Sequence, residues 1–117
     1  FLQVSGLTYE IHTGVASSAE KDENGMFTRV SGEYRVTNVM VGGQPLELDK
    51  TYTLASHNYM LLGHGDGYTM FDGCEVLGED MMVDNQVLIT YITTTLGGVV
   101  GEQYANPYGD GRIVAVE

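Results

Sequence analysis

The sequence is poor in cysteine and in basic residues, and each shortage limits the kinds of structure or partner that the chain can have. Its single cysteine, Cys74, rules out an internal disulfide and leaves the redox compartment open. Only five Lys and Arg stand against 16 Asp and Glu, for a net charge of −11. Nucleic acids and anionic membranes are bound through basic patches. We therefore expect no nucleic-acid partner and no membrane contact.

Long apolar runs are absent too. No stretch approaches the roughly 20 residues that a transmembrane helix needs, and no signal peptide opens the chain. A hydrophobic fraction of 43% with 18% charged residues is ordinary for a folded protein. At 117 residues, we expect a single domain over 1–117. The chain opens in mid-strand without Met, and we interpret it as a fragment.

What the sequence does contain is a glycine-rich stretch, Asn58–Phe71, which reads NYMLLGHGDGYTMF. Three glycines within five residues permit backbone φ values above zero. Tyr59 precedes the turn, Tyr68 follows it, and Asp66 lies within it. A flat ring with one fixed anionic acceptor suits a ligand such as a nucleoside, which stacks through its base and donates through its ribose. A plain turn flanked by core residues is the simpler interpretation, because Gly-Asp-Gly is common.

The first half of the chain has the pattern of β-strands. Residues 1–12 predict a strand whose alternation changes phase at Ser5-Gly6, which indicates a β-bulge there. Residues 13–28 are polar and lack periodicity, as expected of a solvated loop or the tip of a long hairpin. A β-meander should follow, with its strands and turns at Phe27–Val30, Ser31-Gly32, Tyr34–Val41, Gly42-Gly43, the proline-containing edge segment Gln44–Leu48, and Thr51–Ser56.

The second half contains one helix pattern, over Asp84–Leu96. Apolar residues recur there at a spacing of three and four, Asp84 can cap the amino end, and Gly97 can end the helix. A last turn at Gly109–Gly111 leads into a final strand over 112–116. The predicted fold class is α+β, a strand-rich and mostly antiparallel sheet with one main helix, about 84–96, packed on it.

No catalytic constellation is visible in the sequence. His57, His64 and Asp66 are the right types to converge on a zinc ion, but a histidine at a strand end and another in a loop explain them more simply. We find no Ser-His-Asp pattern and no phosphate-binding P-loop. We therefore expect no catalytic residue and no metal ligand here, and no hydrolysis by this chain alone.

Four segments together resemble the C-terminal domain of the 5'-nucleotidase family, in the same order. They are Phe1–Gly6 (FLQVSG), Val39–Leu46 (VMVGGQPL), Lys50–Ser56 (KTYTLAS) and the glycine-rich stretch, and Gly111–Ile113 matches the usual close of that domain. The resemblance covers nearly the whole chain, with a poorer match at 13–28 and 74–83. Four ordered motifs are far more specific than any one of them.

The resemblance implies an extracytoplasmic phosphohydrolase, secreted, periplasmic or on the cell surface. In this family an N-terminal metallophosphoesterase domain with two divalent metal ions does the chemistry, and the C-terminal domain grips the nucleoside. The expected partners are a nucleotide or nucleoside substrate and the chain's own metallophosphoesterase domain. That domain and the amino-terminal part of the C-terminal domain lie outside this sequence, and no cofactor is expected in the chain itself.

The family's binding roles transfer to named positions. Phe1 matches the first of two rings that stack on the base, and Tyr59 matches the second. Tyr59 lies seven residues before Asp66, where the family more often has six, so a strict register places Met60 there instead. Asp66 matches the acid that receives the ribose hydroxyls. Further expected lining residues are Asn58 and Gly65, and His64 stands where the family usually has glycine.

Two kinds of alternative stay open at this point. Within the superfamily, 2',3'-cyclic nucleotide phosphodiesterases and UDP-sugar hydrolases have C-terminal domains that look alike. Outside it, a non-catalytic β-rich surface module that binds a carbohydrate or a protein has a similar composition.

Overall fold

A computed structural model describes residues 2–117 of the chain. Its strands are β1 (Leu7–His12), β2 (Ala19–Lys21), β3 (Phe27–Val30), β4 (Val36–Val41), β5 (Gln44–Pro45) and β6 (Ile113–Val116). Four of them form a sheet in the order β5-β4-β1-β6, and β2 and β3 form a separate hairpin. The β1–β6 pairing is parallel and the others are antiparallel. The predicted α+β class with a mostly antiparallel sheet is confirmed.

The central strand β1 begins later than the sequence pattern indicated. Ser5-Gly6 is a bend before the strand, where Gly6 has φ of 78° and its carbonyl accepts a hydrogen bond from the Gly42 amide at 2.9 Å. The bulge predicted at Ser5-Gly6 is therefore wrong. The register with β4 shifts instead between Thr8 and Glu10, facing Asn38, whose φ is 49°. Of residues 2–12, only the later half, Leu7–His12, is a paired strand. The change of phase at Ser5-Gly6 therefore marks the point where the chain enters the strand.

The β2–β3 hairpin corrects the predicted meander. β3 has the bounds expected for it, but it pairs with β2 and not with β4. The Glu20 side chain bridges the two strands, since its carboxylate lies 2.5 Å from Arg29 Nε and accepts a hydrogen bond from Ser31 Oγ at 2.6 Å. Of the two predictions for residues 13–28, the hairpin tip describes residues 22–26, where the chain turns between the two strands.

The turn at Gly42-Gly43 joins β4 to β5, as predicted. Both glycines have positive φ, 58° and 77°, which is the backbone of a two-residue hairpin turn with φ above zero at both positions. Pro45 lies in the outermost strand, where a missing amide does no harm. The strand predicted at Thr51–Ser56 is wrong: that segment pairs with no strand among residues 2–117. β5 ends at Pro45, so its outer edge offers little for another strand to pair with.

The helix predicted over Asp84–Leu96 is confirmed in extent. It comprises α2 (Asp84–Thr90) and a wider π-helical turn over Tyr91–Thr95. A separate short helix, α1 (Asn58–Leu61), comes earlier in the chain. Thr93 and Thr94 explain the widening, because their hydroxyls donate to main-chain carbonyls of the preceding turn and compete with the regular ladder. Gly97, with φ of 65°, follows its end.

Two details of this helix differ from the prediction. Val83 occupies the amino cap, and Asp84 is the first helical residue, with its carboxylate bonded to the adjacent Asn85 amide at 2.6 Å. None of the described strands contacts α2, so the predicted packing of the helix on the sheet is wrong. The apolar side chains of α2 consequently remain exposed, Leu88 at 60% among them. No helix among residues 2–117 is both long and apolar enough to span a bilayer.

Candidate functional site

The glycine-rich stretch begins with the single helical turn α1. The His57 carbonyl accepts hydrogen bonds from the amides of Met60 and Leu61, at 3.1 and 3.0 Å. The Asn58 carbonyl accepts from the amides of Leu62 and Gly63, both at 2.9 Å. The main chain of Asn58 therefore closes the turn, while its side chain is on the exposed surface.

The two candidates for the second ring position face opposite environments. Met60 is the buried hydrophobic residue of the described chain, at 7% exposure, whereas Tyr59 is 58% exposed. Successive residues of a helix point about 100° apart, so one turn of helix turns Met60 inward and leaves the Tyr59 ring accessible. Of the two residues, only Tyr59 can present its side chain to a ligand in this structure.

Gly65 brings the loop against the Tyr59 side chain. The glycine is buried, and a Cβ added to it would overlap the Tyr59 ring at Cδ1 and Cε1 and lie 2.7 Å from the Tyr59 carbonyl oxygen. Any larger residue at position 65 would have to push the ring away. The close approach of this backbone to the ring is therefore the physical reason for glycine here.

Asp66 lies at the tip of the loop in a left-handed conformation, with φ of 55° and ψ of 18°. Aspartate tolerates this region better than most residues with a side chain. Hydrogen bonds from Gly67 N to the His64 carbonyl (2.8 Å) and from Tyr68 N to the Gly65 carbonyl (3.2 Å) hold the turn on both sides. Asp66 is exposed, so the loop presents its carboxylate to solvent.

The Asp66 carboxylate has no hydrogen-bond partner among residues 2–117, and in particular it does not bond its own turn. Nearby acids differ in this respect. Asp72 Oδ1 lies 2.6 Å from His64 Nε2, and Asp84 Oδ2 lies 3.9 Å from His57 Nε2. Asp66 is thus left with its acceptor capacity free in the part of the chain described.

The two histidines do not converge on Asp66. Each lies beside a different acid, His64 beside Asp72 and His57 beside Asp84. Across residues 2–117, no group of three or more His, Cys, Asp or Glu side chains is arranged to hold a metal ion. The zinc interpretation of His57, His64 and Asp66 therefore has no support in the geometry.

Phe27, which the sequence suggested only as a strand residue, anchors the glycine-rich loop. Gly67 (φ 82°) packs on the main chain of Phe27 in β3, so closely that an added Cβ would lie 2.8 Å from the Phe27 nitrogen. The Phe27 and Tyr68 rings meet edge to face, with centroids 6.1 Å apart and planes at 77°. Tyr68 thus tethers the loop and is not a free stacking ring. The apolar Phe27 beside a polar hairpin tip was the available signal.

Phe1, the other predicted ring, lies outside the described residues. The proposed site residues that the structure does bring together are Tyr59, Gly65 and Asp66, with Asn58 on the preceding turn. They form an exposed ring, a backbone that packs on it, and a free carboxylate one residue further along. This combination can hold a flat group and a hydroxyl-bearing group side by side.

A known protein family and a curated protein are similar to this chain. The family described as "5'-nucleotidase, C-terminal domain" matches residues 1–73, which is more than half of the chain and includes every predicted site residue. Protein UshA of Yersinia enterocolitica is 42% identical over 57 residues, which is 49% of this chain and 10% of that protein. The chain thus covers about a tenth of this curated relative's length. No solved structure matches the chain.

Proposed function

Because the chain belongs to the family of 5'-nucleotidase C-terminal domains, we propose that it binds the nucleoside part of the substrate for a 5'-nucleotidase-like phosphohydrolase. The observation that carries the proposal is the adjacency of an accessible ring and a free carboxylate. Tyr59 contacts the main chain of Gly65, and Asp66 follows directly. A nucleoside has the matching pair of groups, a stacking base joined to a ribose with vicinal hydroxyls.

In this proposal the base stacks on Tyr59, with Phe1 as the opposite ring. The buried position of Met60 supports the register in which Tyr59 is the second ring. The family resemblance is the source of Phe1's role. Asn58, exposed on the turn before the loop, is a further lining residue in this proposal.

Asp66 accepts hydrogen bonds from the ribose hydroxyls. An ionised carboxylate accepts only, and its two oxygens suit two neighbouring donors. The lack of a protein partner for this carboxylate among residues 2–117 supports the role, because no internal bond has to break before the ligand binds.

The chemistry of the parent enzyme belongs to another part of the polypeptide. Residues 2–117 contain no group of side chains that would hold the two divalent metal ions expected in the family. With a net charge of −11, this chain also offers little to a phosphate. We propose that an N-terminal metallophosphoesterase domain supplies the metals and holds the phosphate, outside the cytoplasm, and that this chain supplies substrate recognition.

Calorimetric titration of adenosine and 2'-deoxyadenosine tests the role of Asp66. The unmodified chain should prefer adenosine. Asp66→Asn should bind both nucleosides about equally and adenosine roughly 10- to 150-fold more weakly, since a hydrogen bond to a charged group contributes about 1.5–3 kcal/mol. Asparagine tolerates the left-handed backbone, so the fold is kept. Asp110→Asn, in the other Gly-Asp-Gly turn, is the matched control. A ribose preference that survives in Asp66→Asn contradicts the assignment.

Tyr59→Ala tests the stacking role in the same titration. Losing one stacked ring should weaken adenosine binding by roughly 5- to 150-fold, for about 1–3 kcal/mol. Tyr34→Ala removes another exposed tyrosine, outside the glycine-rich stretch, and should leave binding unchanged. Equal losses in the two variants would show that Tyr59 is not the stacking ring.

A further inference from the structure

A side-chain hydrogen bond closes the loop that carries Asp66. His64 Nε2 lies 2.6 Å from Asp72 Oδ1, and Asp66 stands between these two residues in the sequence. An ionised carboxylate only accepts hydrogen bonds, so with Asp72 ionised the histidine is the donor. Hydrogen bonds to an ionised acceptor are shorter and stronger than those between neutral groups. The chain before and the chain after the proposed ribose acceptor are therefore tied to each other.

The backbone of this loop has a conformation that needs support from its surroundings. His64 (φ 54°, ψ 31°) and Asp66 (φ 55°, ψ 18°) both lie in the left-handed region. Residues with a side chain persist there where the neighbouring structure fixes them. A glycine at position 64 would adopt the same φ without steric cost, so the backbone by itself does not call for a histidine. The contribution that a glycine could not make is the imidazole bond to Asp72.

Asp72 lies on a segment that is itself held by turns. Its amide donates to the Thr69 carbonyl at 3.1 Å. Two residues further along, the Cys74 amide donates to the Phe71 carbonyl, also at 3.1 Å. Asp72 is thus a fixed point against which His64 can hold the start of the loop.

The position of this bond on the surface separates its local effect from its effect on the whole fold. The His64 and Asp72 side chains are 48% and 59% exposed. Exposed pairs of this kind contribute little to the free energy of unfolding. Within the loop, however, the bond removes conformational freedom before a ligand arrives, which lowers the entropy that binding must still remove. We therefore expect its loss to change the loop and leave global stability nearly unaltered.

We propose that His64 and Asp72 are positioning residues for ribose recognition, whose hydrogen bond orders the Asp66 carboxylate before the nucleoside binds. The inference rests on the proposed function, because it assigns neither residue a contact with the ligand. His64 acts through the main chain that joins it to Asp66, and Asp72 acts through His64.

Nitrogen-15 relaxation of the protein without ligand tests the ordering of the loop. His64→Asn keeps a residue that tolerates left-handed backbone, but its shorter side chain ends near the place of Nδ1 and does not reach Asp72. His64→Gln puts an amide nitrogen near the place of Nε2. The Asp66 amide should have an order parameter of about 0.85 in the unmodified protein and in His64→Gln, and below about 0.6 in His64→Asn and Asp72→Ala. Equal order in all four proteins would overturn the proposal.

Titration with adenosine and with adenine tests the consequence for binding. Adenine has no ribose, so it should stack without using Asp66. His64→Asn should weaken adenosine binding roughly 2- to 10-fold, the range of one hydrogen bond, and leave adenine binding unchanged. His64→Gln should restore adenosine binding, and adding Asp72→Ala to His64→Asn should cause no further loss, because the same bond cannot be removed twice. Equal weakening of both ligands, or no rescue by glutamine, contradicts a positioning role.

His12→Asn is the matched control for removing a histidine hydrogen bond. His12 Nε2 lies 2.8 Å from Thr37 Oγ1, between β1 and β4. Among residues 2–117, β1 contacts neither α1 nor residues 65–67. This variant should therefore leave the order of the loop and the binding of adenosine unchanged.

The outcome also separates this inference from the proposed function. If Asp66→Asn loses the preference for adenosine over adenine while His64→Asn keeps both that preference and the ordered loop, the positioning role alone fails. If the unmodified protein binds adenosine no better than adenine, ribose recognition fails and the positioning role fails with it.

Discussion

Gly65-Asp66-Gly67 and Gly109-Asp110-Gly111 are two copies of one tripeptide in different surroundings. In the first, Asp66 has φ of 55° and a carboxylate without a partner in the described chain. In the second, the Asp110 carboxylate accepts a hydrogen bond from Arg112 Nε at 2.7 Å and from the Arg112 amide at 3.3 Å. The tripeptide alone therefore does not decide whether its aspartate is free to bind a ligand.

The residues that follow each turn decide it. Arg112 neutralises Asp110, donates to the Val4 carbonyl, and accepts the Tyr9 amide at 2.9 Å, so the second turn ties β6 to the start of the chain. Tyr68 instead packs its ring on Phe27 and offers Asp66 no charge. One turn is a structural tie, and the other holds a carboxylate open to solvent.

The largest expected difference between the two turns is in the glycines that end them. Gly67 and Gly111 have nearly the same φ, 82° and 83°, but a Cβ at 67 would meet the Phe27 main chain while one at 111 would meet nothing. Gly111→Ala should cost about 1–2 kcal/mol for its backbone alone. Gly67→Ala should cost about 1–3 kcal/mol more, for overpacking. Urea denaturation of the two variants measures the difference, and equal midpoints would mean that Phe27 does not anchor the loop.

The aspartates should show a smaller difference, in stability. Asp110→Asn breaks the pair with Arg112 and should lower the melting temperature. Asp66→Asn breaks no contact described here and should change the free energy of unfolding by less than about 0.5 kcal/mol. Differential scanning calorimetry of both variants makes the comparison. A larger loss in Asp66→Asn would place Asp66 in the structural role and take it out of the binding site.

The smallest expected effect is the pH dependence of the stability that the Asp110–Arg112 pair contributes. The hydrogen bond from the Arg112 side chain lowers the pKa of Asp110 below its usual value. The stability that this pair contributes is therefore present above about pH 4 and is lost as the pH falls through the lowered pKa. The difference in melting temperature between the unmodified chain and Asp110→Asn should shrink as the pH falls below about 4. A difference that stays constant would show that the charge of Asp110 is not the cause.

Local patterns predicted part of the fold well. The Gly42-Gly43 hairpin and the extent of the helix over 84–96 follow from turn chemistry and apolar spacing within a few residues. The strand at Thr51–Ser56 and the β3–β4 pairing failed, because alternation indicates that a segment can be a strand and does not say which partner is available. The packing of the helix on the sheet failed for the same reason.

The candidate site divides in the same way. The sequence by itself determined the family, the glycine-rich loop, and the residue types that can stack and accept hydrogen bonds, because these depend on chemistry and order along the chain. Only the tertiary structure decided that Met60 is buried and Tyr59 is exposed. It also decided that the Tyr68 ring packs against Phe27. Finally, it left the Asp66 carboxylate without a partner in the described chain, whereas the Asp110 carboxylate pairs with Arg112. Each of these depends on where a side chain points and on which distant residue it meets, and a one-residue step along a helical turn is enough to reverse it.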